Sequence, residues 1–103
     1  MSRLLLIAAT ALLPVSLPAA EIAPELWDRP RSAQTVMASP AIRQAVAAWQ
    51  QDAAARIMIV HGRSQEAQAE ELRAWLVALA VDGARVFLRA DPASGAVSVE
   101  VVK

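Results

Sequence analysis

The chain has 103 residues, with ten basic and ten acidic side chains, one histidine, three tryptophans and no cysteine. A neutral balance with no run of either sign argues against a basic patch, and so against nucleic acid or an acidic membrane surface as partner. Without cysteine there is neither a disulfide nor a thiolate metal site, and stability must come from Ile, Val, Leu and the tryptophans.

The first 20 residues, MSRLLLIAATALLPVSLPAA, read as an export leader. Arg3 supplies the positive start, Leu4 to Leu13 are apolar apart from Thr10, and Pro14 and Pro18 precede the small residues Ala19 and Ala20. Hydrolysis is expected after Ala19 or Ala20. The apolar stretch is about half the roughly 20 residues that a membrane-spanning helix needs. No cysteine follows it, so no lipid-modified N-terminus is expected. Removing 20 of the 103 residues leaves 83, with nine basic and ten acidic side chains. That is one domain, and a chain of this size buries only about 60% of its unfolded surface.

Residues 21–34, with prolines at positions 24 and 30 and mixed charges, are expected to form an irregular arm. Trp27 in its middle either staples the arm to the domain or contacts a partner. The domain proper is expected over 35–103. Thr35-Val36-Met37-Ala38 is a short strand candidate. Ser39-Pro40 is a helix start, a hydroxyl to cap the free amides followed by proline where its missing donor does no harm. Ile42, Ala45, Val46 and Trp49 recur at helical spacing, and this helix is expected to run to about Ala54.

Arg56 to His61 holds four consecutive apolar residues, rich in β-branched types, and predicts a strand covered on both faces. Gly62 ends it. Ser64 is the expected cap of a second helix whose buried stripe is Leu72, Trp75, Leu76 and Leu79, and which Asp82-Gly83 ends. Val86 and Leu88 follow as a strand, with Phe87 on its opposite face. Asp91-Pro92-Ala93-Ser94-Gly95 is turn chemistry. Val97, Val99 and Val101 then alternate with Ser98 and Glu100, which predicts a half-solvated antiparallel strand at an edge. The fold class is therefore α/β (α+β) in two layers, of order β-α-β-α-β-β, with two helices on one face of a small mixed sheet.

Two stretches, RIMIVHG (56–62) and AEELRAWLVALAVDGARVFL (69–88), resemble the OmpA-like domain, a peptidoglycan-binding module of Gram-negative envelopes. The first resembles the family's central strand. The second resembles its alanine-flanked helix, turn and following strand, and together with the surrounding elements about two-thirds of the exported chain is covered. The resemblance implies a periplasmic or secreted α/β module with an envelope protein or cell-wall component as partner. The family's central strand leads into a loop carrying an aspartate, and its second helix opens with an Arg-Ala pair. Here Ser64 or its neighbour stands in place of the aspartate and Gln68-Ala69 in place of Arg-Ala, so no binding residue is carried over.

On the residues alone, Ser39, His61, Arg63 and Ser64, with Asp91 nearby, should gather at the carboxyl edge of the sheet, where open α/β sheets bind ligands. The amides opening the second helix, beside Arg63, could hold a phosphate or a carboxylate. The alternative is that Ser64 merely caps its helix, Arg63 is solvated and His61 marks a strand end. No cysteine nucleophile, tyrosine, second histidine or glycine-rich phosphate loop accompanies His61, so no catalytic residue, metal or cofactor is expected. The leading expectation is an exported, non-catalytic envelope interaction or accessory module. Its rivals are a binder of a small anionic ligand at that rim and, more distantly, a hydrolase-type enzyme.

Overall fold

The computed structural model describes residues 17–103, so most of the expected leader lies outside the described residues. Four strands, β1 (Leu17–Glu21), β2 (Arg56–His61), β3 (Val86–Ala90) and β4 (Val97–Val102), form one mixed sheet in the order β1-β4-β2-β3. Three α-helices accompany it: α1 (Ala33–Met37), α2 (Pro40–Gln51) and α3 (Glu66–Ala78). Short 3-10 helices occur at Pro24–Asp28, Arg63–Gln65 and Gly83–Arg85. No described helix is long and apolar enough to cross a membrane.

β2 is the hub. It runs parallel to β3, with Ile57 opposite Val86 and Ile59 opposite Leu88, and antiparallel to β4, with Ile57 opposite Val101 and Ile59 opposite Val99. The parallel step from β2 to β3 needs a crossover of a dozen or more residues, and α3 supplies it. Side chains alternate between faces along each strand, so this register places Ile57, Ile59, Val86, Val97, Val99 and Val101 on one face. All six are buried there, together with Ile42, Ala45 and Val46 of α2 and Ala69, Leu72 and Leu76 of α3. Both helices thus cover one face in a two-layer domain, with full burial contributing about 1.5–3 kcal/mol for each large aliphatic side chain. The opposite face carries Met58, Val60, Phe87, Arg89, Ser98 and Glu100, where Phe87 is 42% exposed and Arg89 pairs with Glu100 at 3.2 Å.

Three sequence expectations change. Thr35–Ala38 is not a strand, because Ser32 and Thr35 close a reciprocal capping box that starts α1 over Ala33–Met37. The first strand of the sheet is instead Leu17–Glu21, four of whose five residues fall inside the expected leader. β4 is antiparallel and one of its faces is buried, as its alternating valines require, but it is not an edge, since β1 flanks it on one side and β2 on the other. The edges of the described sheet are β1 and β3.

The arm over residues 21–34 is tied down rather than loose. Ile22 is buried and its amide donates to the Val97 carbonyl at 2.8 Å. Trp27 packs partly buried against the core. Arg31 fastens the arm to α3 by a bidentate pair to Glu71, with Nε–Oε2 at 2.7 Å and Nη2–Oε1 at 2.9 Å. The same guanidinium lies 5.8 Å from the Trp27 ring centroid and donates through Nη1 to the Trp27 carbonyl at 3.0 Å. Trp75 Nε1 donates to the same Glu71 carboxylate at 3.2 Å, so two of the three tryptophans meet one ion pair.

Candidate functional site

β2 ends at the rim where the sequence places a candidate site. His61 lies on the helix-covered face, opposite Val97 and Ala90, and is only 6% exposed. Its Nδ1 is 2.8 Å from the Gly62 carbonyl, which can only accept, so Nδ1 carries the proton and donates. Its own carbonyl accepts from the Asp91 amide at 2.8 Å. His61 is therefore a strand-end residue built into the turn, while the Asp91 carboxylate is engaged by the Ala93 amide at 3.0 Å.

Arg63 and Ser64 follow in a 3-10 turn and are exposed, and neither makes a side-chain hydrogen bond among the described residues. Ser64 does not cap the second helix: the N-cap of α3 is Gln65, which makes no side-chain cap bond. Position 62 has no room for a side chain. A Cβ at Gly62 would collide with the carbonyl oxygen of Ser94 and the side-chain oxygen of Gln65.

Ser39 does stand at the N-cap of α2, ahead of Pro40, but its hydroxyl makes no cap bond. It lines a different hollow, a cavity of about 450 Å³ walled by Ala20, Leu26, Thr35, Ala38, Pro40 and Ala41, among others. None of His61, Arg63 or Ser64 lines that cavity. The four expected rim residues are thus divided between an exposed turn, a buried strand end and a separate apolar hollow. Among the described residues, no group of three or more His, Asp or Glu side chains is placed to hold a metal ion.

The hollow beside Ser39 is the feature that sequence reasoning missed. A second cavity of about 110 Å³ lies between β1, α2 and β4, lined by Pro18, Ala19, Ala45, Val99 and Val101. Ala20, Ala41 and Gln44 line both, so the two flank the Ala20 methyl. They exist because the facing positions on β1 and α2 are small: Ala19 and Ala20 on the strand, Ala41 and Ala45 on the helix. Alanines in these positions carry no periodic signal of their own, and only the pairing of β1 with β4 reveals the gap between them.

Comparison with protein families, with curated proteins and with solved structures finds no family model, no curated protein and no solved structure that matches the chain.

Proposed function

We propose that this chain is an exported, non-catalytic interaction module of the cell envelope. The observation that carries the reading is the meeting of two features at one place. A leader-like sequence runs directly into β1, and β1 lies beside a largely apolar trough between α2 and the sheet. Ligand and partner sites are commonly concave, apolar and edged by a few polar groups, and this trough has Thr35, Ser39 and Gln44 with the charged Glu21, Glu25 and Arg29 in its lining.

Arg31 with Glu71 and Lys103 with Asp52 are spent on holding the arm and the C-terminus, and none of these four lines the trough. Kinship with the OmpA-like domain draws support from the central strand Arg56–His61 and the helix–turn–strand unit that follows it, and from nothing at the ligand-holding positions.

Fractionation tests the address, and capture tests the role. The full chain with a C-terminal tag, expressed in a Gram-negative host, should appear in the periplasmic fraction, shortened at Ala19 or Ala20. Tagged protein incubated with envelope extract should retain a defined partner, whereas purified sacculi should not sediment it. Strong sedimentation with sacculi would show that the missing aspartate and arginine are dispensable for wall binding. Exclusively cytoplasmic protein would end the envelope reading.

A further inference from the structure

We propose that leader removal converts the outer edge of β4 into an acceptor for an extended peptide from a partner protein, with a bulky apolar side chain entering where Ala20 now sits. This inference rests on the export reading above. Cleavage after Ala20 removes four of the five residues of β1 and empties the place opposite Val99, whereas cleavage after Ala19 removes three and leaves Ala20 there. Either cut takes the strand off Val101, since Leu17 is the residue that pairs there. The backbone groups of β4 that β1 engages become free, and an uncovered strand edge is a template for another chain.

The remaining attachment defines how much edge is opened. Glu21 stays opposite Ser98, and the Ile22 amide stays on the Val97 carbonyl, with Ile22 itself buried. The arm therefore stays anchored at the start of β4, and the open part is Val99 to Val102. Its inward side chains, Val99 and Val101, face the trough rather than water.

The fit of β1 argues that it is a placeholder. Pro18 brings no backbone donor to the edge, and the register slips between Leu17 and Ala20. Pro18, Ala19 and Ala20 leave the 110 Å³ gap, and Ala20, Ala41 and Gln44 lie between that gap and the 450 Å³ hollow. A leucine, isoleucine or phenylalanine at the Ala20 position would run into both, gaining burial that alanine cannot. The favoured occupant is thus an extended segment antiparallel to β4, with one large apolar residue directed at Ala41 and Gln44.

A second copy of this chain fits less well. Full pairing of two β4 strands is blocked by Glu21 and Ile22 at the Val97 end. The short register left open that pairs Val99 with Val101 of the second copy sets Glu100 directly opposite Glu100, a like-charge pair.

The test uses the protein as the periplasm delivers it. Its mass gives the N-terminus, and fluorescence anisotropy measures binding of two labelled peptides, one with the sequence of residues 15–20 and one carrying Ala20→Leu. The expected result is a chain beginning at Glu21 that binds the leucine peptide about tenfold more tightly than the alanine one. Gln44→Trp, at an exposed helix position lining both cavities, should lower the leucine peptide's affinity at least tenfold with an unchanged circular dichroism spectrum. A processed chain that binds neither peptide, or both equally, overturns the acceptor and leaves export standing. An exported chain that keeps Ala20 also overturns it, since the place opposite Val99 is then still filled. Sedimentation as a dimer, with peptide excluded, would assign the edge to a second copy instead. A chain that never leaves the cytoplasm removes the export reading, and the acceptor with it.

Discussion

At the scale of single residues, Gly62 and the two helix-start serines show how local chemistry diverges from composition. Gly62 has an ordinary extended backbone, φ −77° and ψ 177°, so it is not required for its torsions. It is required for space, because the carbonyl of Ser94 occupies the place of a Cβ. Gly62→Ala should destabilise the domain by roughly 2 kcal/mol, as overpacking against backbone cannot be relieved by a rotamer change. A urea midpoint lowered at unchanged slope would establish it, and an unchanged midpoint would show that the 91–96 turn yields freely. The serines offer a paired contrast. Ser32 accepts from the Thr35 amide at 3.2 Å and its own amide donates to the Thr35 hydroxyl at 2.8 Å, whereas Ser39 makes no cap bond. Ser32→Ala should cost about 1 kcal/mol and Ser39→Ala less than about 0.5 kcal/mol. Parallel thermal melts decide it, and equal losses would mean that Ser39 is bonded in solution. Ser39-Pro40 read correctly as a helix start, because proline fixes that position whatever the hydroxyl does. The rim site read less well, since the burial of His61 and its bond to the Gly62 carbonyl are products of the turn.

At the scale of elements, legibility followed the length over which one interaction repeats. Arg56–His61 was readable to the residue, because an isoleucine–valine run flanked by a charge and a glycine has no competing helical pattern. Val97, Val99 and Val101 correctly marked one buried face. A face pattern is silent about lateral neighbours, though, and β4 is interior because a strand from the far end of the chain lies beside it. That strand was hidden by its own composition, as Pro, Ala and Ala are poor strand formers and good leader residues. Thr35-Val36 failed for the opposite reason, a β-branched pair overruled by the capping box before it. The end of α3 is also earlier than Asp82-Gly83 suggests. The Val81 amide returns to the Leu76 carbonyl and the Ala80 amide to the Val77 carbonyl, both at 3.0 Å, which leaves Ala80 at φ 74°. This is a Schellman closure with alanine where glycine is unstrained. Ala80→Gly should therefore stabilise the domain by roughly 0.5 kcal/mol, the relief of left-handed strain exceeding the added unfolded-state entropy. A lower melting temperature in that variant would show that the strain is already relaxed.

At the scale of the whole molecule, two ion pairs join segments far apart in sequence and make the fold sensitive to acid. Arg31 to Glu71 spans 40 positions and clamps the arm to α3, while Lys103 Nζ to Asp52 Oδ2, at 2.7 Å, spans 51 and clamps the C-terminus to the end of α2. The hydrogen bonds from Arg31 first, and from Trp75, hold the Glu71 carboxyl below its ordinary value against a partial desolvation that opposes them. The hydrogen bond from Lys103 first, and that of the Ala54 amide, do the same for Asp52. A carboxylate whose folded pKa is depressed stabilises the fold fully above its unfolded pKa, and that stability is lost as pH falls through the folded value. Both contributions are thus complete at neutral pH and disappear below the ordinary carboxylate range. Both pairs are partly exposed, so each is partly screened and only their sum should be visible. The double variant Asp52→Asn/Glu71→Gln should melt a few degrees below the parent at pH 7 and converge with it as pH falls below the ordinary carboxylate range. Added salt should narrow the gap at pH 7 from the parent's side. Melting curves recorded from neutral to acid pH carry the test, and a gap that persists undiminished at the acid end would mean that the two carboxylates act by packing rather than by charge.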